Sequence, residues 1–376
     1  MLLPPFVRRL RLLGGLVLLV FVLGHLINLA LALDSIEAMN QARAVLLAPW
    51  RTLPGMVLLS ASMVIHAVLG LVTIASRRSF ALSRTDWVQL LLGVVTVPLL
   101  INHLALVGVF KTLNSQFEPD YGLLFAIFWK YIPSNALLQV LGVVAVWVHG
   151  AIGIYSWLVL RPVWRRIGPL VTPVFFLVPI AALLGFAQGG KDVMVRLAGN
   201  GEWQAKIADN MALITASKAQ IESIRNWMLL GYAVLALLAF ASFIIRALHT
   251  RAQPVPVLYD GGVSVSGKRG LSVLEVSLLN HVPHAHVCSG RARCGTCLIE
   301  VDSGAQGLTP IKGDEAATLH RIHAGPGQRL ACQARLTGGP VEVTRLRPAY
   351  ADASASRNPE EWKPVLSPVA TAEGAP

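Results

Sequence analysis

The sequence predicts an α-helical membrane bundle of six transmembrane helices joined to a small soluble α+β domain. Three observations carry this. Apolar residues make up 54% of the 376-residue chain and charged residues only 14%, against about 25% charged in soluble globular chains. The apolar excess lies before residue 250, and the residues after it have ordinary soluble composition. All four cysteines, at 288, 294, 297 and 332, lie beyond that boundary. The expected division is a bundle over 1–250, a linker over 251–255, a compact domain over 256–348 and a disordered tail over 349–376.

Six stretches, 10–33, 53–75, 86–109, 136–160, 168–188 and 226–247, approach the roughly 20 apolar residues that cross a bilayer. The first is preceded by basic residues, like a secretory signal, but its apolar core exceeds the roughly 7–15 residues of such a segment. Arg8, Arg9 and Arg11 precede the first span. Arg77, Arg78 and Arg84 separate the second and third, Arg161, Arg165 and Arg166 the fourth and fifth, and Arg246 and Arg251 come after the sixth. With six alternating spans these clusters share one side, which the positive-inside rule makes cytoplasmic, with both termini. The loops 34–52, 110–135 and 189–225 then lie outside, and 202–226 reads as an amphipathic helix off the bilayer. The net charge of +12 is thus a topology signal. No basic run interleaved with aromatics suggests nucleic acid.

Each of the first four spans carries one histidine: His25, His66, His103 and His149. One such residue is adequately explained as a neutral imidazole bonded to a neighbouring helix. One in each of four successive spans points to function. At a rise of 1.5 Å per residue, His66 and His149 lie about 16 and 18 Å from Arg77 and Arg161, and His25 and His103 about 21 and 28 Å from Arg11 and Arg84. That makes an inner pair, His66 with His149, and an outer pair, His25 with His103. Facing histidines in a bundle hold metals or haem. Zinc or copper would require further ligands at each level, and the spans offer no Asp, Glu or Cys beyond Asp86 at the edge of the third. Haem fits better, one for each pair. Gly24, Gly70, Gly142, Gly150 and Gly153 beside the histidines leave room, although small residues also serve plain helix packing.

In the soluble part, "VLYDGGVSVSG" predicts a hairpin turning at Asp260, Gly261 and Gly262. "LSVLEVSLLNH" and "KGDEAATLHRI" predict helices, and "CLIEVDSG", "RLACQARL" and "VEVTRL" predict strands. A small mixed sheet crossed by a helix is a β-grasp arrangement. The cysteines run C-x5-C-x2-C and then, after 34 intervening residues, a fourth. Four thiolates are what a [2Fe-2S] cluster takes. Three on one tight loop wrap it, and Cys332, from a separate strand, closes the cage. Small neighbours such as Ser289, Gly290, Ala292, Gly295 and Thr296 suit the crowding. Arg291 and Arg293 are expected in the cluster environment, offsetting its negative charge. A zinc site would want two C-x2-4-C knuckles. Disulfides suit the cytoplasmic side poorly. His281, His284 and His286 read as loop or helix-end residues rather than Rieske ligands, with His286 near enough to tune the cluster.

The motif "CSGRARCGTC" with the later "RLACQ" resembles adrenodoxin-like [2Fe-2S] ferredoxins over about residues 254–347. The resemblance implies a β-grasp ferredoxin domain with Cys288, Cys294, Cys297 and Cys332 as cluster ligands. The bundle resembles the dihaem cytochrome b anchors of succinate dehydrogenases and fumarate reductases, where one histidine from each of four helices pairs at two depths. It differs in drawing them from four consecutive helices and in having a sixth helix. The whole is similar to the N-terminal region of a group of bacterial class III adenylate cyclases, on stretches such as "HLINLALALDSIEAMNQAR" and "HVPHAHVCSGRARCGTC". Here a Pro/Ala/Ser-rich tail comes after "RLRPAY" in place of a cyclase domain, so cyclase activity is not expected.

The expected function is electron transfer between a membrane donor, quinol foremost, and a cytoplasmic [2Fe-2S] cluster by way of two b haems, in a bacterial inner membrane. The alternative is a redox sensor that signals quinone state to a separate effector such as a nucleotide cyclase. Expected partners are the membrane, quinone or quinol, and a soluble redox or signalling partner. A homodimer stays open. A plain tether with structural histidines is the bland third reading.

Overall fold

The computed structural model describes residues 5–79, 81–117, 119–249 and 254–357. Six helices in it are long and apolar enough to cross a membrane. They are α1 (Pro5–Ala30), α3 (Leu53–Ala75), α4 (Arg84–His103), α6 (Pro133–Leu158), α7 (Trp164–Gly199) and α9 (Lys218–His249). Large apolar side chains such as Leu170, Phe176, Leu177, Trp227 and Leu237 stand exposed on these helices. This is the surface expected of elements that face lipid and satisfy their backbone internally.

The chain thus folds as a multi-pass membrane protein. Helix α1 packs on α3 and α7, α4 packs on α6, and α9 lies against α3 and α4. Trp147 of α6 ties the bundle to α7 by donating to the Phe175 carbonyl at 2.7 Å. Helix α4 contains Pro98 and runs, immediately after His103, into a π-helical stretch over Leu104–Phe110. Such widened turns recur at functional positions in helices.

The connections at the end away from the soluble domain are more than loops. Between the spans lie α2 (Ile36–Leu46), α5 (Tyr121–Ala126) and α8 (Gly201–Ala216). They share a buried core of Ile36, Met39, Phe110, Phe117, Phe125 and Ile207 with Phe186 of α7. Arg43 donates to the Pro119 carbonyl at 2.9 Å, and Lys206 pairs with Asp120 at 2.6 Å. The single amphipathic helix expected over 202–226 is broken at Ser217, whose backbone leaves the helical region. Its first part belongs to this cap, and its second forms the opening turns of α9.

The soluble domain is a five-stranded mixed sheet in the order β2-β1-β5-β3-β4. Its strands are β1 (Pro254–Tyr259), β2 (Val263–Lys268), β3 (Leu298–Ser303), β4 (Gln328–Leu330) and β5 (Val341–Arg345). β1 and β2 form the antiparallel hairpin, and β1 runs parallel to β5. Helices α10 (Val273–Leu279) and α11 (Asp314–Arg321) complete it over a core that includes Val257, Val276, Ile299, Leu330 and Val343. The expected linker is shorter than 251–255, because Pro254 and Val255 already belong to β1. Both prolines of that strand precede the stretch paired with β5, so no ladder donor is lost on that side. Of the expected tail, 353–357 forms a short helix, and 358–376 lies outside the described residues. The strand expected over "RLACQARL" stops at Leu330, so Cys332 sits in the turn beyond it.

The soluble domain docks on the end of the bundle where α1 and α4 begin and α3 and α6 finish. Ser79, between α3 and α4, donates to Glu275 at 2.7 Å. Arg8 pairs with Asp314. Glu275 also closes a capping box with Ser272 at the start of α10 and pairs with Arg335 at 3.1 Å. Burial alone would push the Glu275 carboxyl up. Arg335, with hydrogen bonds from Ser272 and Ser79, outweighs this and holds it below its ordinary 4.5. A carboxyl lowered on folding adds stability above its unfolded value and loses it as pH falls through its folded value. Exchange protection of the α10 amides should therefore exceed that of Glu275→Gln above about pH 4.5. The gap should close on acidification in hydrogen-exchange mass spectrometry, and a gap that persists in acid contradicts the assignment.

Candidate functional site: two histidine pairs and a cysteine loop

The structure brings the four histidines together two by two. The ring centres of His66 and His149 are 6.0 Å apart, and those of His25 and His103 are 6.1 Å apart. Each ring of the inner pair is fixed through Nδ1. His66 Nδ1–H donates to the Arg11 carbonyl at 3.0 Å, and His149 Nδ1–H to the Gln89 carbonyl at 2.9 Å. A backbone acceptor on one ring nitrogen sets the tautomer and leaves Nε2 with its lone pair, as metal-ligating histidines are held. In the outer pair the Nδ1 atoms of His25 and His103 are buried without a hydrogen-bond partner, as are both amide atoms of Asn28, one turn beyond His25.

Two glycines that face the inner rings are absent from the sequence-based expectations. A Cβ on Gly15 would lie 2.8 Å from His66 Cε1, and one on Gly93 would lie 2.8 Å from His149 Cε1. Each comes one turn after the residue whose carbonyl holds the same ring. Of the glycines expected to make room, Gly70 borders open space, while Gly142 and Gly153 approach Leu100 and Gln89 rather than a histidine. The signal for Gly15 and Gly93 is an internal repeat. Arg11, Gly15 and His25 recur at the same spacing as Gln89, Gly93 and His103. His66, Gly70 and Thr73 likewise recur as His149, Gly153 and Ser156. Helices α1 and α3 therefore form one half of a pseudo-symmetric unit and α4 and α6 the other, with each histidine pair formed across the halves. Gly15 is level with His66, so ten residues of helix separate the pairs by about 15 Å.

In the soluble domain the loop between α10 and β3 carries Cys288, Cys294 and Cys297, all buried with Cys332. Ser289, Gly290, Ala292 and Gly295 have φ of 52°, 77°, 54° and 81°. This explains the small side chains, since left-handed backbone is costly for bulky ones. Alternating backbone of this kind gathers N–H groups into an anion-binding concavity. The Cys288 thiol is accordingly held down to about 5, by a hydrogen bond from Cys294 against the effect of burial, and by the backbone N–H groups of Arg293, Cys294 and Arg291. Cys297 and Cys332 form the second neighbouring pair. Among the described residues no group of three or more His, Cys, Asp or Glu side chains surrounds a single ion position. Thiols grouped two and two suit a centre with two irons better than one zinc.

The surroundings refine the expectations. The Arg291 guanidinium leaves the cysteines and crosses to the bundle, bonding Asp86 at 2.9 Å and Ser156 at 3.1 Å. The Arg293 side chain remains exposed, and Arg321 holds its carbonyl at 2.7 Å. His284 lies in the loop after α10, as expected. It is buried, bonded to Ser277 at 2.9 Å, and kept neutral by burial, which pushes its pKa down to about 4. His286 is half-buried, with Nδ1–H bonded to the His284 carbonyl at 2.7 Å. Two further residues contact the sulfurs. Thr296 Oγ1 accepts from Val287 N–H at 3.1 Å and lies 3.0 Å from Cys294 Sγ, to which its hydroxyl donates once that sulfur is a thiolate. Gln333 donates to Cys332 Sγ at 3.3 Å.

Residues 258–337 match the family described as "2Fe-2S iron-sulfur cluster binding domain". The C-terminal unit is a [2Fe-2S] ferredoxin domain. It is similar to 2Fe-2S ferredoxin-5 of Aquifex aeolicus, 26% identical over 87 residues, which are 23% of this chain and 91% of that protein. It is also similar to chlorosome protein I of Chlorobaculum tepidum, 33% identical over 91 residues, which are 22% of this chain and only 37% of that protein's length. Among solved structures, the ISC-like [2Fe-2S] ferredoxin of Pseudomonas putida matches at 24% identity and a TM-score of 0.23, over 26% of this chain and 94% of its own.

Hydrogen bonds to the sulfurs set the potential of such a centre. They favour the more negative reduced state, so Thr296→Val should lower the midpoint potential of the ferredoxin centre in a redox titration monitored by electron paramagnetic resonance. An unchanged potential would remove Thr296 from the site.

Proposed function

We propose that the chain is a membrane electron-transfer protein. The four histidines hold two b-type haems, and Cys288, Cys294, Cys297 and Cys332 hold the [2Fe-2S] cluster. The observation that carries the haem reading is the spacing within each pair. A metal–imidazole bond of about 2.0–2.1 Å on each side, plus about 1.2 Å from nitrogen to ring centre, sets two imidazoles about 6.4 Å apart. Both pairs lie close to that separation. Each offers only two donors, as haem iron requires when the macrocycle supplies the rest. The Gly15 and Gly93 clefts and the tethered Nδ1 atoms of the inner pair support the same fit.

When bound, these groups would exchange single electrons, since the redox chemistry belongs to the cofactors. The chain's part is to fix their spacing, exclude water and tune their potentials. Quinol is the donor proposed, because it is a lipid-soluble reductant that can reach the bundle from within the membrane. The arginine clusters support a ferredoxin domain on the cytoplasmic face of a bacterial inner membrane, where a soluble redox or signalling partner would meet it.

A reduced-minus-oxidised spectrum of the purified full-length protein tests the reading and should show b-type bands. His66→Ala and His149→Ala should each lose one haem and keep the other. Retention of both haems in both variants would overturn the pairing, and a spectrum without b-type bands would overturn the haem reading.

A further inference from the structure

The two halves of the bundle differ where they meet the ferredoxin domain. In the first half, Arg11 on α1 donates to Thr73 on α3, two turns beyond His66. In the second half the position matching Arg11 is Gln89, and the position matching Thr73 is Ser156, two turns beyond His149. The guanidinium that reaches Ser156 comes from outside the bundle. It is Arg291, midway between Cys288 and Cys294 on the cysteine loop. Its other nitrogen meets Asp86, which is only 8% exposed. Asp86 lies three residues before Gln89, whose carbonyl fixes His149.

We propose that Arg291 is a positioning residue. It completes the pseudo-symmetric end of the bundle and thereby holds the cysteine loop against the helices that carry and orient the inner histidine pair. It rests on the electron-transfer reading above and adds a fixed docking geometry for exchange between the two centres. Two turns of helix span about 11 Å, so a side chain bonded to Ser156 ties the loop within a short reach of His149. The interaction suits this role. The partner carboxylate is withdrawn from water, and a desolvated charge pair loses more from truncation of one member than a surface pair does. Asp86 is already committed to Ser83 through its other oxygen, at 2.6 Å, so it meets Arg291 as a rigid acceptor.

The test uses the full-length protein in lipid nanodiscs with a nitroxide attached at the exposed position in Arg165→Cys. Pulsed dipolar spectroscopy between the label and the reduced ferredoxin centre should give one narrow distance. Arg291→Ala should broaden it, with the docked fraction falling about tenfold or more, and Arg291→Lys should restore it in part. Asp86→Asn, which keeps an acceptor for Ser83, should broaden it as well. The double variant Arg291→Ala with Asp86→Asn should be no worse than Arg291→Ala alone. In the same variants quinol-driven reduction of the ferredoxin centre should slow in parallel, while its reduction by dithionite in solution stays unchanged. An unaltered narrow distance in Arg291→Ala and in Asp86→Asn overturns the inference, whatever the spectrum shows. Missing b-type bands with the distance responding as expected would overturn the haem reading and leave the docking role standing.

Discussion

An imidazole in hydrocarbon is useful only if something fixes which nitrogen carries the proton and where the ring points. Here a main-chain carbonyl does this for each inner histidine. The Arg11 carbonyl holds His66 and the Gln89 carbonyl holds His149. A carbonyl on a membrane helix is normally spent on the residue one turn later. Its second lone pair is what the histidine takes. The ring can approach that closely only because the next turn presents a glycine, Gly15 or Gly93. The arrangement therefore couples three requirements in each half: a helix carbonyl, a missing side chain one turn on, and a neighbouring helix that brings its histidine to the same depth.

The same logic governs the ferredoxin loop, with the donor and acceptor roles reversed. There the backbone turns left-handed at Ser289, Gly290, Ala292 and Gly295, and its N–H groups converge on sulfur. Both sites use the main chain to fix polar atoms where side chains would be too large. The long-range side-chain contacts then set how the two sites sit together. Arg291 to Asp86 and Ser156, Ser79 to Glu275, and Arg8 to Asp314 all join the two parts of the chain.

The ferredoxin half was largely legible because its signals are local. Cysteine spacing, the Asp260-Gly261-Gly262 turn and the Ser272–Glu275 capping box are each contained in a few residues. The depths of the four histidines could also be read, since helix rise converts sequence distance into depth. The far-end cap was not legible. Its helices are short, and they are stabilised by Phe110, Phe117, Phe186 and Ile207 meeting from three separate stretches of the chain. The destination of Arg291 was hidden for the same reason. An arginine beside cysteines invites a local electrostatic reading, yet its partners lie 205 and 135 residues away. Gly15 and Gly93 were readable in principle, but only by comparing the first span with the third.

The equal spacing of glycine and histidine in the two halves also limits how the chain can drift. Every residue in an α-helix advances the face by about 100°. One codon inserted or deleted between Gly15 and His25, or between Gly93 and His103, would swing the outer histidine away from its mate while the inner one stayed in place. Substitution can reshape these two ten-residue rulers, but a one-residue change in the length of either turns an outer histidine off the face it shares with its mate.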